Sequence, residues 1–299
     1  MIELRHVVKK FAGRIAVDDL SFTVPRGEIF GLLGHNGAGK STAIGMMLGQ
    51  VWPTSGEVRV CGHDVQSHRR AALMQVGAIF ETPVFYDYLS GARNLEILST
   101  YTAPTSKARI REVIEWVGLT GREQSKVRTY SHGMRSRLAL AQALLPKPEL
   151  LILDEPSDGL DPEGIHEMRE TILRLQRELG LTILLSSHLL NEVEQLCTRI
   201  AVLQQGKKVF EGSVAAVKAT LGKVALKTPD FAKAAGLLLE RDLITATAEG
   251  KFITLAEGKT TGEVTQALVS AGIAVEGIWQ HEQTVEDFYL NLIKPPTRN

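Results

Sequence analysis

Apolar residues along the first part of the chain are spaced as in strands that share one core. Ile2, Leu4 and Val8 fall at even spacing, which predicts a strand with one buried face. Residues 29–33 are apolar without alternation and run into a glycine-rich turn, a pattern typical of a strand buried on both faces of a parallel sheet. Three further apolar runs predict strands of the same kind, at 150–153, 182–185 and 200–203.

An amphipathic helix is predicted between the runs at 150–153 and 182–185. Its apolar stripe comprises Ile165, Met168, Ile172, Leu175 and Leu179. Strands that alternate with such helices make an α/β domain with a mostly parallel sheet. From about residue 94 to residue 145 the pattern is helical without a strong strand run, which predicts a helical subdomain inserted between two strands of the sheet.

The pattern changes after Gly212. Strand and helix patterns then follow in the order β-α-β-β-α-β, which is typical of a small ferredoxin-like domain. The predicted strands lie at 224–226, 243–247, 252–255 and 273–278, and the predicted helices at 231–239, 264–268 and 285–292. We therefore expect an α/β domain at residues 1–215, with its helical subdomain at about 90–146, and a small α+β domain at residues 216–299.

The composition is that of a globular protein with a hydrophobic core, 44% hydrophobic and 23% charged. Lys and Arg together number 34, as do Asp and Glu, so the chain has no basic excess and we expect no nucleic-acid partner. No apolar run approaches the roughly 18 residues of a membrane span, and the N-terminal residues lack the apolar stretch of a secretion signal. Cys61 and Cys197 are too few for a disulfide scaffold or a metal cluster. We expect a cytoplasmic protein whose role at a membrane depends on a partner.

Residues 34–41, Gly-His-Asn-Gly-Ala-Gly-Lys-Ser, match the phosphate-binding loop G-x-x-x-x-G-K-[ST] between a strand and a helix. Its glycines allow backbone N–H groups to turn toward a β-phosphate. Lys40 is expected to neutralise the β and γ oxygens, and the Ser41 hydroxyl to bind Mg²⁺. The predicted ATP-binding residues in this loop are Gly34, His35, Asn36, Gly37, Ala38, Gly39, Lys40, Ser41 and Thr42.

Two acids end the apolar run at 150–153. Asp154 is expected to hold Mg²⁺ through a water, and Glu155 to polarise the water that attacks the γ-phosphate. A positioned base of this kind contributes about 10²–10⁴ in rate. The alternative is that both acids cap the following helix, since acids favour helix N-termini. The phosphate loop in the same chain favours the catalytic interpretation.

These motifs, with four others in the same order, resemble those of the ATP-binding subunits of ABC transporters over residues 1–215. Residues 130–134, Tyr-Ser-His-Gly-Met, stand where that family has its signature Leu-Ser-Gly-Gly-Gln. Residues 157–161 match the family's D-loop, and His188 matches its switch histidine. Phe11 stands where the family has an aromatic residue that stacks on adenine, although packing at a strand end remains an alternative for it.

The resemblance implies a P-loop NTPase fold with an antiparallel β subdomain, a mostly parallel core sheet and a helical subdomain. It also implies that Ser131 and Gly133 bind the γ-phosphate held by another subunit. Two cassettes, either two copies of this chain or one copy and a paralogue, would then pack head to tail around two ATP. Glu155 and His188 are the predicted catalytic residues, and ATP and Mg²⁺ the cofactors.

The sequence departs from the family pattern at two positions. Glu81 stands where most members have a glutamine that touches Mg²⁺. A glutamate also offers oxygen to Mg²⁺, so the predicted metal-binding residues are Ser41, Glu81 and Asp154; a solvated loop acid is the alternative for Glu81. His132 replaces the first signature glycine, which is expected to reduce backbone freedom there.

Residues 79–83, 130–134 and 284–289 are similar to those of the subgroup that exports bacitracin, lantibiotics and related peptides. This similarity implies export of an antimicrobial peptide or drug, and antibiotic resistance, through a separate integral membrane permease. The chain would lie on the inner face of the cell membrane through that permease.

Residues 83–95, with Phe85, Tyr86 and Tyr88 expected to be exposed, are the predicted permease-binding segment; core packing is the alternative for these aromatic residues. The competing function is a soluble ABC ATPase that is not coupled to transport. The single cassette and the neutral net charge argue against it. A nucleotide-binding regulator without turnover is disfavoured because Glu155 is present.

Overall fold

The computed structural model describes residues 1–80, 84–102, 105–219, 223–248, 250–281 and 284–293. The chain divides into two compact units, one from Met1 to Ser213 and one from Val214 onward. Each unit has a hydrophobic core of its own.

The first unit combines two sheets with helices. Its strands are β1 (Ile2–Phe11), β2 (Arg14–Val24), β3 (Ile29–Leu33), β4 (Ser55–Val60), β5 (His63–Asp64), β6 (Val76–Ile79), β7 (Leu150–Asp154), β8 (Thr182–Ser187), β9 (Arg199–Gln204) and β10 (Lys207–Ser213). Its helices are α1 (Lys40–Met47), α2 (Arg69–Leu73), α3 (Gly91–Thr102), α4 (Lys107–Trp116), α5 (His132–Leu144), α6 (Pro162–Leu179) and α7 (Leu190–Leu196), with a 3₁₀ turn at Val127–Thr129.

The core sheet has the strand order β10-β9-β3-β8-β7-β6, with all neighbours parallel except β10 and β9. Every residue of β3 and β8 is buried, which confirms the interpretation of their unbroken apolar runs. The sequence pattern predicts no separate strand at β6, which is short and contains Gly77. A Cβ on Gly77 would lie 2.1 Å from the carbonyl oxygen of Ala143, so glycine is required for α5 to pack this closely on the strand.

The second sheet is antiparallel, in the order β2-β1-β4-β5. The even spacing predicted for β1 fails in its second half. His6 has a φ of 49°, and the pairing of β1 with β2 shifts register between Leu4 and Val7. Val7 is consequently buried in the core, and Val8 is only partly buried. This irregularity is a β-bulge, which moves the following side chains to the other face of the strand.

Phe22 of β2 stacks on Phe30 of β3 with ring centroids 5.5 Å apart, so the two sheets share one core. Helices α3, α4 and α5 lie between β6 and β7 in the chain, as predicted for the helical subdomain. Helix α6 begins after Asp161, whose side chain accepts a hydrogen bond from the Gly164 N–H at 3.1 Å. Met168, Ile172 and Leu175 of the predicted apolar stripe of α6 are buried. Ile165 is partly buried, and Leu179 in the last turn is 41% exposed.

The second unit contains β11 (Lys223–Lys227), β12 (Ile244–Ala248), β13 (Phe252–Leu255), β14 (Gly277–His281), α8 (Val214–Ala219), α9 (Phe231–Glu240), α10 (Thr261–Ser270) and α11 (Val285–Ile293). The sheet is antiparallel in the order β12-β13-β11-β14, which confirms the ferredoxin-like arrangement. The last strand begins at Gly277, later than predicted, and Ile273 packs in the core from the preceding turn.

No helix in the described ranges combines the length and the apolar character that crossing a bilayer requires.

Candidate functional site

The phosphate-binding loop leaves β3 and leads into α1, whose N-cap residue is Gly39 with a φ of 108°. A Cβ on Gly39 would lie 2.7 Å from the carbonyl oxygen of Ala16, and one on Gly34 would lie 2.6 Å from that of Leu203. Both glycines are therefore required by close packing of the loop against neighbouring backbone. Gly37 has a φ of 82° and open space around it, so there glycine serves the backbone conformation alone.

Lys40 is the first residue of α1, and its side chain is buried under the loop. Its ammonium group donates a 2.7 Å hydrogen bond to the carbonyl oxygen of Gly34. It also lies 3.2 Å from Oε1 of Glu155, which follows the end of β7. The structure thus brings together the loop lysine and the predicted general base, which are far apart in the sequence.

Asp154 and Glu155 are held at the end of β7 by one hydroxyl group. Ser186 of β8 is fully buried and pairs in register with Asp154. Its Oγ donates a hydrogen bond to Oδ1 of Asp154 at 2.5 Å and accepts one from the Glu155 N–H at 3.0 Å. Glu155 has a φ of 50°, a left-handed conformation that is strained for a residue with a side chain. No motif in the sequence predicts this role for Ser186.

His188 follows β8 and contacts the same carboxylate. Its Nδ1 lies 2.6 Å from Oε2 of Glu155, and its backbone N–H donates to that oxygen at 3.3 Å. The helix α7 that follows is held to α6 by the buried carboxylate of Glu192, whose Oε1 lies 3.2 Å from the Arg169 guanidinium. Burial raises the pKa of Glu192, and Arg169 opposes that shift.

Lys40, Glu155 and His188 line an open cleft of about 730 Å³. The lining residues that the sequence analysis predicted are Phe11, His35, Asn36, Gly37, Gly39, Lys40, Ser41, Thr42, Glu155 and His188, and those it did not assign are Arg14, Ala16 and Asp158. The cleft joins a phosphate-binding loop, a buried lysine and a carboxylate–histidine pair, which are the groups that hydrolysis of a nucleoside triphosphate requires.

The Phe11 ring is 47% exposed at the edge of this cleft, where a base could stack on it. The ammonium group of Lys9 lies 4.6 Å from the ring centroid and donates a 2.7 Å hydrogen bond to the carbonyl oxygen of Trp52.

Other predicted site residues lie away from the lining of the cleft. Ser131 is the N-cap of α5, and its hydroxyl accepts a hydrogen bond from the Met134 N–H at 3.2 Å. Neither Ser131 nor Gly133 lines the cleft of its own chain, and neither do Gly34, Ala38 and Asp154. Glu81, the predicted metal-binding residue in the position of the family's glutamine, lies outside the described residues.

The expected exposure of Phe85 is wrong, because only 9% of this residue is exposed. The fully buried Asn94 fixes the backbone next to Phe85. Its side chain accepts a hydrogen bond from the Tyr86 N–H at 2.8 Å and donates one to the Tyr86 carbonyl oxygen at 3.1 Å. Tyr86 and Tyr88 are 42% and 66% exposed, as predicted.

The expected loss of backbone freedom at His132 has no consequence here, because His132 is the first residue of α5 and its φ is not positive. Cys197 is buried behind β3, where a Cβ on Gly31 would lie 2.9 Å from its Sγ. Burial raises the pKa of the Cys197 thiol, which keeps it protonated and unreactive.

Comparison with known proteins agrees with this geometry. The profile of the ABC transporter family matches residues 17–158. An uncharacterized ABC transporter ATP-binding protein, YhcH of Bacillus subtilis, is 49% identical over 209 residues, which cover 70% of this chain and 68% of the relative. The bacitracin transport ATP-binding protein BcrA of Enterococcus faecalis is 36% identical over 296 residues, 98% of this chain and 96% of the relative.

Among solved structures, cbiO1 of Clostridium perfringens, part of the ABC transporter complex cbiONQ, superposes with a TM-score of 0.67 at 25% identity. The match covers 73% of this chain and 90% of cbiO1. Members of this family bind ATP and hydrolyse it to power transport, which is the chemistry that the cleft provides. This chain belongs to the ABC transporter family as one of its ATP-binding subunits.

Proposed function

We propose that this chain hydrolyses ATP in a head-to-tail dimer and drives a separate membrane permease that exports an antimicrobial peptide or drug. The observation that carries the export proposal is the extent of the similarity to the bacitracin transport protein. That similarity covers 98% of this chain and therefore includes the second unit as well as the ATPase unit. The alternative of a soluble ATPase without a transport partner gains no support from these relatives.

Within one site, each group has a defined task. The loop N–H groups and the Lys40 ammonium bind the β- and γ-phosphates, and the Phe11 ring stacks on the base. Glu155 accepts a proton from the attacking water, and the His188 ring donates a hydrogen bond to the γ-phosphate. A stacked base contributes about 1–3 kcal/mol in binding, by analogy with other base–aromatic contacts.

The residues also suit Mg²⁺. The Ser41 hydroxyl lines the cleft, and Asp154 ends the strand beside it with a carboxylate oriented by Ser186. The described residues contain no group of three or more His, Cys, Asp or Glu side chains able to hold a metal alone. Mg²⁺ is commonly bound by one or two protein oxygens together with substrate phosphates, so this small donor set fits it. Bound there, Mg²⁺ would neutralise charge on the phosphate oxygens.

The dimer proposal rests on the surroundings of Gly133. A Cβ on Gly133 would lie 3.8 Å from the Gly164 Cα and 4.0 Å from the Ser131 Oγ, both ordinary contact distances. Its φ is not positive, so the conformation does not demand glycine either. The fold of one copy therefore leaves the absence of a side chain at Gly133 unexplained. A phosphate approaching the N-terminus of α5 from a second copy does explain it, because backbone N–H groups bind phosphate closely only where no side chain intervenes.

Gly133→Ala tests the dimer. We expect the variant to fold as the wild type does, because a Cβ fits. In a Glu155→Gln background, which slows hydrolysis and preserves bound ATP, it should fail to form the ATP-dependent dimer in size-exclusion chromatography with light scattering. With Glu155 intact, its ATPase rate should fall by at least about tenfold, the equivalent of one lost hydrogen bond of roughly 1.4 kcal/mol.

Gly236→Ala is the matched control, because Gly236 lies in a helix of the second unit with open space around it. It should retain both dimerisation and turnover. A Gly133→Ala protein that dimerises and hydrolyses ATP normally would contradict the head-to-tail arrangement.

The permease is tested separately. A tagged chain purified from membranes of its native cells should bring down a multi-span membrane protein, and alanine at the exposed Tyr86 and Tyr88 should release it. A chain that is always recovered without such a partner would refute the transport proposal and leave the dimer proposal intact.

A further inference from the structure

The signature segment and the D-loop of the same chain are joined by the ring of His132. Its Nε2 lies 3.1 Å from the carbonyl oxygen of Asp158. A carbonyl oxygen only accepts, so the ring donates through an Nε2–H. The ring also lies against Gly159, where a Cβ would be 3.2 Å from the same nitrogen. Gly159 has a φ of 70°, and its missing side chain gives the ring room to lie there.

Asp158 connects this contact to the backbone of Glu155, the predicted base. The Asp158 N–H donates a hydrogen bond to the carbonyl oxygen of Glu155 at 3.0 Å, which closes a tight turn. Asp158 also lines the ATP cleft. One peptide segment therefore bonds to Glu155 through its N–H and to His132 through its carbonyl oxygen. The residue before His132 is Ser131, which lies outside the cleft of its own chain.

We propose that His132 is a positioning residue that couples the two ATP sites of the dimer. This inference rests on the proposed head-to-tail arrangement. Within each copy, the His132 hydrogen bond links the segment of Ser131, which binds the ATP of the partner copy, to the segment of Glu155, which acts on the copy's own ATP. A change at one site then shifts the groups presented to the other site. A glycine at position 132, the residue of the family signature, would lack this bond.

The hydrogen bond between His132 and Asp158 is not needed to hold α5 and α6 together. His132 is exposed, and α5 and α6 are joined independently where Arg137 lies 3.2 Å from the carboxylate of Glu167. The packing of Gly133 near Gly164 is a further contact between the two helices. Removing the Nε2–H should therefore change the coupling between sites without unfolding the signature segment.

His132→Phe and His132→Gln separate the hydrogen bond from the bulk of the ring. Phenylalanine keeps a ring against Gly159 but has no donor, whereas the glutamine amide can donate to the Asp158 carbonyl oxygen. The measurement is the steady-state ATPase rate against ATP concentration, with melting temperature as the check on folding. We expect a Hill coefficient above one for the wild type, a value close to one for His132→Phe and His132→Gly, and recovery in His132→Gln.

A Hill coefficient in His132→Phe equal to that of the wild type would overturn the inference, and so would a wild type without cooperativity. Failure of the underlying dimer is recognised independently, because ATP would then produce no dimer in the Glu155→Gln protein. If that dimer forms and His132→Phe remains fully cooperative, only the role of His132 is wrong.

Discussion

Ser186 shows how a single buried hydroxyl can determine the geometry of a catalytic site. It donates to Asp154 and accepts from the N–H of Glu155, so one side chain orients the predicted metal-binding acid and fixes the backbone of the predicted base. Glu155 is held in a left-handed conformation, which costs about 1–3 kcal/mol for a residue with a side chain. The Ser186 contact, Lys40 and His188 together hold it there.

Ser186→Ala should therefore slow ATP hydrolysis by about 10–100-fold, the usual effect of removing a partner that orients a metal-binding residue. The Mg²⁺ concentration for half-maximal activity should rise as well, because the Asp154 carboxylate loses its fixed orientation. Both quantities come from ATPase assays over a Mg²⁺ titration.

Ser99→Ala is the control for Ser186→Ala. Ser99 is also a buried serine, and its hydroxyl donates within α3, away from the lining of the cleft. That variant should keep the Mg²⁺ dependence of the wild type. An unchanged Mg²⁺ requirement in Ser186→Ala would mean that the hydroxyl does not position Asp154.

How much of the site the sequence reveals depends on whether its residues are contiguous. The phosphate loop is predictable because its glycines, lysine and serine form one motif. The role of Ser186 is not, because it follows from the register of β7 against β8, which brings residue 186 beside Asp154. The exposure of Phe85 is mispredicted for a similar reason, since the buried Asn94 that fixes its segment lies in the following helix.

At the scale of elements, α6 has well-defined ends. Asp161 caps its N-terminus, Pro162 is the first helical residue, and Gly180 ends it with a φ of 65°. A left-handed residue after the last turn allows backbone N–H groups at the helix end to donate to carbonyl oxygens of the last turn, and glycine adopts that conformation without strain.

Gly180→Ala should lower the free energy of unfolding by about 1 kcal/mol, because alanine is strained at that φ. Chemical denaturation followed by circular dichroism measures the loss. In contrast, Gly236→Ala lies inside α9 and should leave stability unchanged or raise it. Equal stabilities for Gly180→Ala and the wild type would show that this helix end does not need a left-handed residue.

Elements with a strong, regular pattern are the ones that the sequence predicts. The runs at β3, β7, β8 and β9 are unbroken because both faces of those strands are buried. Less regular elements are harder to predict. The bulge at His6 reverses the alternation within β1, and β14 begins after Ile273, whose apolar side chain belongs to the core although its backbone is not in the strand.

At the scale of the whole molecule, the two units have separate cores. The core of the first unit is built from strands and helices that all precede Val214 in the chain, and the core of the second unit begins at Val224. The apolar residues that stabilise each fold therefore lie within that unit.

A fragment of residues 1–213 should fold and bind ATP without the remainder of the chain. At an ATP concentration about 100-fold above the dissociation constant, binding should stabilise it by about 2.7 kcal/mol. Thermal denaturation with and without ATP measures this shift. An unfolded fragment would show that the first unit needs the rest of the chain to fold. A folded fragment whose melting temperature ATP does not raise would show that the rest of the chain contributes to ATP binding.

The contact between Lys40 and Glu155 has a consequence for nucleotide binding. The Glu155 carboxylate is a counterion of the Lys40 ammonium group, so a triphosphate that binds the loop competes with it for Lys40. A triphosphate that takes Lys40 releases the Glu155 carboxylate, and it places the γ-phosphate in the site in the same event. On the proposed mechanism, ATP binding therefore frees the Glu155 carboxylate to accept a proton, and the base is available only in a copy that holds ATP.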